Sequence, residues 1–255
     1  MGSELYLDLM KKTLVNSVYE DPPVQLSDDV QVPWRSPSDG YDPTERALGE
    51  DWPSVAHTMA GTERLNNVHH CLQTITADAI PGDLIETGVW RGGICIFMRA
   101  YLRAHDIKDR TVWVADSFQG MPEIGPDGHP MDHRLALHRA NHVLGIPLEQ
   151  VRQNFAKYDL LDDQVRFLPG WFHDTLPTAP IDQLAILRLD GDLYQSTLDS
   201  LTHLYPKLSP GGYVIIDDYV LPPVHEAVLE YRRQHGISDR LRPVDISSAC
   251  WRREE

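Results

Sequence analysis

Two apolar runs that each end in carboxylates, LAILRLDGD (Leu184 to Asp192) and GGYVIIDDY (Gly211 to Tyr219), constrain the fold of this chain more than any other feature. Continuous apolar runs of this length predict strands buried on both faces, as in a parallel sheet. An open parallel sheet takes its ligand outside the carboxyl ends of the strands, so acids placed there reach a metal or a reacting hydroxyl without being buried in the core. Three more runs repeat the pattern. Leu84-Ile85 leads to Glu86, Val112 to Ala115 leads to Asp116, and Val165 to Leu168 leads to Gly170 and Asp174. One edge of the sheet is therefore expected to be acidic.

From Gly82 onward, apolar runs alternate with helical patterns, among them Ile94 to His105 and the Leu198, Leu201, Tyr205, Leu208 series. Such alternation implies right-handed βαβ crossovers, hence an α/β fold with a doubly wound parallel sheet. The stretch between the second and third strands, with three histidines in Gly120 to Asn141 and a fourth at His142, is too long for a plain crossover and predicts an inserted helical lid. Leu241 to Arg252 alternates weakly, as a final antiparallel strand would. Ahead of the sheet, Leu5, Leu9, Met10, Leu14 and Val18 form a helical stripe that must pack somewhere. Asp21 to Pro53 is rich in proline and poor in apolar anchors, which predicts a lid, an arm or an oligomer contact. Ser54, a good N-cap, opens a predicted helix running to about Ala79. The division expected is 1–80 for helices and arm and 81–255 for the catalytic domain.

The 255 residues carry a net charge of -15, which repels nucleic-acid backbones and anionic lipid and favours a small-molecule substrate. Cys71, Cys95 and Cys250 are odd in number and widely spaced, so neither a disulfide framework nor a zinc site is expected. A cytoplasmic setting fits, and no run approaches the roughly 18 apolar residues of a membrane span.

LIETGVWRGG (Leu84 to Gly93) resembles a glycine-rich nucleotide turn, with Trp90 where a dinucleotide site has its second glycine. A tryptophan there bars close approach of a pyrophosphate. Glu86 suits an ammonium or hydroxyl, such as the amino-acid end of S-adenosylmethionine, better than a phosphate. Asp116 occupies the place where a doubly wound fold grips ribose hydroxyls. Trp171 and Asp174 could stack on and hydrogen-bond an adenine, or be a packed tryptophan and a helix cap.

With strand order 3-2-1-4-5, Asp190 and the Asp217-Asp218 pair meet at one edge. With no cysteine nearby, that is a hard-oxygen site for Mg²⁺ or Ca²⁺. Asp192 is expected to cap the next helix. His138 and His142, at i and i+4, lack the H-E-x-x-H pattern and are better placed on the surface, and His57 could equally line the pocket or sit in the core.

ETGVWRGG, WVADSFQGMPE, LLDDQVRFLPGWFHDT, LRLDGD, LSPGG and VIIDDY together resemble the macrocin O-methyltransferase family, metal-dependent enzymes that methylate sugar hydroxyls on macrolide and aminocoumarin antibiotics. The likeness is dense from Gly82 to Tyr219 and is echoed in AHTMAGTERLNN (Ala56 to Asn67). It implies a class I, Rossmann-like methyltransferase fold, S-adenosylmethionine as donor, and Mg²⁺ on Asp190, Asp217 and Asp218. Asp190 would be ligand and general base at once. Glu86, Thr87, Gly88, Asp116, Ser117 and Asp174 would contact the cofactor, with Thr58 and Met59 near the methyl and the acceptor. A glycoside acceptor follows from the same likeness, while the N-terminal amphipathic helix suggests a homodimer or larger homo-oligomer. Pro22 to Gly49 departs from the family pattern, and in such enzymes this arm helps line the acceptor pocket.

Two other readings compete. The acceptor could be a catechol or small phenol, whose hydroxyl pair also chelates Mg²⁺, or the chain could be a non-catalytic nucleotide-binding module, against which Trp90 argues.

Overall fold

The computed structural model describes residues 2–26 and 40–254, so the middle of the proline-rich arm, 27–39, lies outside the described residues. The parallel strands are β1 (Asp83–Thr87), β2 (Val112–Asp116), β3 (Val165–Pro169), β4 (Leu184–Leu189) and β5 (Leu208–Ile216). A hairpin of β6 (Arg242–Pro243) and β7 (Ala249–Arg252) adds to the β5 edge, antiparallel. The order is β3-β2-β1-β4-β5-β7-β6, which reverses direction between β1 and β4. The predicted core order and the final antiparallel strand are both present.

The strand period of two divides the apolar side chains between two cores. Leu84, Val112, Val114, Ile186 and Ile215 pack with α3 (Gly61–Ala77) and α4 (Gly93–Ala104). Ile85, Trp113, Leu187, Val214 and Ile216 pack on the other face with α8 (Tyr194–Leu204) and α9 (Pro222–Gln234). α1 (Gly2–Leu14) joins the first core through Leu7, Met10 and Leu14. The predicted stripe is therefore rotated: Leu5 and Leu9, expected to be packed, are 69% and 58% exposed.

The helix predicted from Ser54 starts seven residues later, at Gly61. Its donors explain the difference. The Val55 and Ala56 amides and the Ser54 hydroxyl all bond to one carboxylate oxygen of Asp21, and the His57 and Thr58 amides bond to the Leu14 carbonyl. An ion pair of Arg46 with Asp21 and Asp51, all three buried, staples the ends of the arm to α1 and to the short α2 (Pro43–Leu48). Between β2 and β3 the predicted insertion is present as two 3₁₀ turns followed by α5 (Asn141–Leu144) and α6 (Leu148–Lys157). α7 (Phe172–Thr175) follows β3. No helix among the described residues is long and apolar enough to cross a membrane.

Candidate active site

A cavity of about 970 Å³ opens at the carboxyl ends of β1, β2, β4 and β5, walled by the insertion and by the arm. That is the position an open α/β sheet gives its ligands. Gly88, Asp116, Ser117 and Trp171 line one part, Asp190, Asp192, Asp217 and Asp218 another, and Met59 stands on the arm side.

The register of the sheet sets the chemistry. Glu86 pairs with Arg188 across β1 and β4, and Arg188 pairs with Ile215 across β4 and β5, so Glu86, Arg188 and Asp217 all project to the face beneath α3 and α4. Arg188 is 0% exposed. Its Nη1 donates to Glu86 Oε1 and to Asp190 Oδ2 (2.7 Å), and its Nη2 donates to Asp217 Oδ1. From α3, Arg64 donates to Asp217 Oδ2 (2.8 Å) and to Asp245 Oδ2 (2.8 Å), and lies 3.9 Å from Asp218. Asp217 is thus held between two guanidiniums. Burial alone would raise its pKa, but Arg188 and Arg64 outweigh burial and keep it below the ordinary carboxylate value.

Asp190, Asp192 and Asp218 remain, each offering an oxygen within 4.8 Å of the other two. Loss of solvent, then the charge of Asp217, raises Asp190 well above its ordinary pKa. Loss of solvent, then Asp192, does the same to Asp218. Asp192 is pushed up to about 7 by burial and by Asp190. The three carboxylates repel one another and have too little positive charge among them, since six acids (Glu86, Asp190, Asp192, Asp217, Asp218, Asp245) share two arginines.

This trio differs from the predicted set. Asp192, expected to be a helix cap, belongs to it, and the cap on α8 comes from elsewhere. Asp132, 2% exposed and part of the insertion, accepts from the Tyr194 amide (2.7 Å) and the Gln195 amide (3.4 Å). His129 stacks on the Tyr194 ring with centroids 3.6 Å apart, so the lid is fastened to the helix that follows the aspartate loop.

At the other end of the cavity, Asp116 accepts from the Val89 and Phe118 amides, both at 2.7 Å, which fixes the turn after β1 against the turn after β2. Burial raises its pKa despite these bonds. Ser117 donates to the Gly120 carbonyl (2.9 Å). Trp90, with φ +47, donates its indole N–H to the Val143 carbonyl of the insertion.

Four expected contacts fall elsewhere. Glu86 is 1% exposed, takes a bond from Cys95 Sγ (2.9 Å) besides that of Arg188, and does not line the cavity; as the last but one residue of β1 it ends inside the sheet. Thr87 is also buried and donates to the Arg188 carbonyl (3.3 Å). Thr58 is buried, its hydroxyl accepting from the Ala60 amide (3.1 Å). Asp174 is exposed beside His173 and outside the cavity lining. His57 bonds Tyr158 through Nδ1 (2.7 Å), outside the lining, and His138 and His142 are not part of the acidic cluster.

Arg188, Arg64 and Asp132 were not singled out in the sequence. An arginine inside an apolar strand was the one available signal, because a buried guanidinium requires carboxylate partners.

Comparison with known proteins gives the family and the fold. A family model described as macrocin-O-methyltransferase (TylF) matches residues 3–253. The chain is 57% identical, over 98% of its length and 92% of the relative's, to an 8-demethyl-8-(2,3-dimethoxy-alpha-L-rhamnosyl)-tetracenomycin-C 4'-O-methyltransferase of Streptomyces olivaceus. It is 54% identical, over 99% of its length and 97% of the relative's, to a mycinamicin III 3''-O-methyltransferase of Micromonospora griseorubida. The solved structure of the O-methyltransferase NovP superposes with a TM-score of 0.93 at 56% identity, covering 99% of this chain and all of that one.

Proposed function

The chain belongs to the macrocin-O-methyltransferase family and is an O-methyltransferase, and on that premise we propose that it moves a methyl group from S-adenosylmethionine to a sugar hydroxyl of a glycosylated natural product, with Mg²⁺ at its acidic cluster. The Streptomyces olivaceus relative is named for 4'-O-methylation of a rhamnosyl tetracenomycin and the Micromonospora griseorubida relative for 3''-O-methylation of mycinamicin III, which supports the acceptor class. One observation carries the rest of the reading: Asp190, Asp192 and Asp218 converge within 4.8 Å beside the cavity.

The residues fit both absent groups. Oxygen-only donors without a cysteine or histidine suit a hard dication, and the raised pKa values of all three carboxylates mark a surplus of negative charge that a cation relieves. Asp190, Asp192 and Asp218 would hold it, and Asp217, engaged by two arginines, would fix the geometry of its neighbour Asp218 and add charge from behind. The donor fits the other end, where Gly88 leaves the backbone bare, Asp116 and Ser117 line the wall, and Trp171 offers a ring face. A cavity of 970 Å³ is at the upper end of the range for ligand sites and has room for donor and acceptor together.

A sugar hydroxyl is a poor nucleophile, and a bound dication would supply the charge that lowers its pKa. The protein's part is to orient the hydroxyl and to receive its proton. Of the two carboxylates placed for that, Asp190 already accepts from Arg188, whereas Asp192 takes no arginine hydrogen bond among the described residues. We assign the proton to Asp192 and keep Asp190 as ligand. Arg64 is the only Lys or Arg among the described residues lining the cavity, and it is engaged by Asp217 and Asp245. A nucleotide diphosphate sugar would find no free Lys or Arg there among the described residues, which favours a sugar already joined to its aglycone.

Calorimetric titration with S-adenosylhomocysteine, with NAD as control, tests the donor. Mass spectrometry of a panel of glycosides and catechols incubated with S-adenosylmethionine, with and without Mg²⁺, tests the acceptor and the metal. Tighter binding of NAD, or methylation of catechols alone, would overturn the reading.

A further inference from the structure

Beside the catalytic cavity lies a second hollow of about 570 Å³, formed by the residues after β5, the start of α9 and the β6–β7 hairpin. The two hollows share Val220, Ile246 and Ser247, so they are continuous at the rim. The rim is rigid, because the Val220 amide donates to the Ser247 carbonyl (2.9 Å) and Asp245 accepts from the Ser247 and Ser248 amides.

The two spaces differ in chemistry. Near the aspartates the cavity wall is acidic, from Asp190, Asp192, Asp217 and Asp218, whereas its arm and insertion side carries Trp52, Met59, Met121 and Leu144. The second hollow is lined mainly by Tyr219, Pro222, Leu241 and Pro243, and its one carboxylate among the described residues, Asp245, is engaged by Arg64 and by backbone amides. Val220 and Ile246, at the junction, are 52% and 68% exposed. A single exposed aliphatic side chain is ordinary, but a pair at the mouth of a ligand cavity, continuous with an apolar floor, marks a place where an apolar body rests.

We propose that this hollow is the aglycone subsite: the apolar body of the acceptor lies against Tyr219, Val220, Pro222 and Ile246 while its sugar reaches Asp190, Asp192 and Asp218. The assignment rests on the sugar O-methyltransferase reading above and adds to it where the rest of the acceptor goes. Tyr219 and Val220 directly follow the cluster member Asp218 in sequence, so one short segment joins the two subsites. An amphiphilic glycoside matches the step from acidic to apolar wall, whereas a free sugar uses only half of it.

The test compares a naphthyl rhamnoside with methyl rhamnoside, titrated calorimetrically into the protein with S-adenosylhomocysteine and Mg²⁺ and again without them. Burial of an aromatic ring predicts that the wild type prefers the naphthyl glycoside by about tenfold or more. In His225→Glu/Pro243→Asp, both exposed positions on the hollow, and in Ile246→Asp as a second variant, that preference falls to about twofold or less once charge replaces apolar surface. Absence of the preference in the wild type, or its survival in both variants, overturns the proposal. So does a change of sedimentation in the variants with the preference intact, which would assign the hollow to a contact between copies of the chain. Failure of S-adenosylhomocysteine to bind the wild type would count against the donor reading alone, since the rhamnoside comparison is also read without it.

Discussion

Gly88 faces the backbone of Asp190 so closely that a β-carbon at residue 88 would stand 2.7 Å from the Asp190 carbonyl carbon, and closer still to its oxygen. Gly88 also has φ +89, and the Asp190 amide donates to the Thr87 carbonyl at 2.8 Å. The turn after β1 and the loop that carries the carboxylates are therefore one packed unit. Gly88→Ala is expected to cost more than about 3 kcal/mol, from overpacking together with an unfavourable φ. Urea unfolding measures this, and a wild-type midpoint would mean that the two ends are free to separate.

Arg188 ties carboxylates from β1, the β4 loop and the β5 end to one buried guanidinium. Arg188→Met keeps much of the volume and leaves Glu86 and Asp217 without that partner, which is expected to cost about 3–5 kcal/mol. Arg188→Lys restores the charge but not the fork, so it should recover only part of the loss. Equal stability of all three proteins in urea would remove Arg188 from the frame of the site.

Asp132 caps a helix from another part of the chain. Asp132→Ala should lower stability by about 1 kcal/mol, the usual worth of an N-cap, and Asp132→Asn by less. Because α8 follows the aspartate loop directly, hydrogen exchange at Tyr194 and Gln195 should quicken in the alanine variant, together with exchange in the insertion that Asp132 anchors. Unchanged exchange in both segments would mean that the lid and the loop are independent.

Asp192 binds a proton below about 7 in the metal-free protein, whereas an unperturbed aspartate does so below 3.8. Between those values the folded chain holds more protons than the unfolded one, so this group's contribution to stability declines as pH rises through the window. A cation needs the carboxylate, so Mg²⁺ affinity should weaken as pH is lowered through about 7, with proton release on binding. Asp192→Asn should flatten both dependences and reduce turnover by at least about a hundredfold if it removes the base. Calorimetry in two buffers of different ionisation enthalpy reads the proton directly, and a pH-independent Mg²⁺ affinity would contradict the assignment.

His57 behaves in the opposite sense. Burial, followed by Lys157 and Arg91, lowers its pKa from 6.5 to about 4, so it is neutral in the folded protein while the unfolded chain takes up a proton. Stability from this residue is present above 6.5 and is lost as pH falls toward 4. His57→Gln should show less acid destabilisation across that interval, and thermal unfolding at pH 7 and pH 5 makes the comparison.

The sheet was legible because strands buried on both faces must be apolar throughout and must stop where polarity is needed. That is how LAILRLDGD and VIIDDY announce both β4 and β5 and the acids beyond them. What stayed hidden came from contacts distant in sequence. Ser54 reads as a helix start until Asp21, thirty-three residues earlier, takes its hydroxyl and the following amides. Asp192 reads as a cap until Asp132 occupies that place. Asp217 and Asp218 read alike in the sequence, and the register that puts Arg188 beside Asp217 gives the two different surroundings. Glu86 lies one turn of strand too deep for the cavity, a difference of one or two residues that no periodicity resolves.

The insertion and the arm wall the cavity without supplying any of the carboxylates that Arg188 binds. The lid between Gly120 and Asn141 and the residues of the second hollow can thus be exchanged with the Arg188 frame left intact, provided Asp132 is kept for the Tyr194 and Gln195 amides. Residue 188 offers no such freedom: it is the keystone, and every graft must be fitted around it.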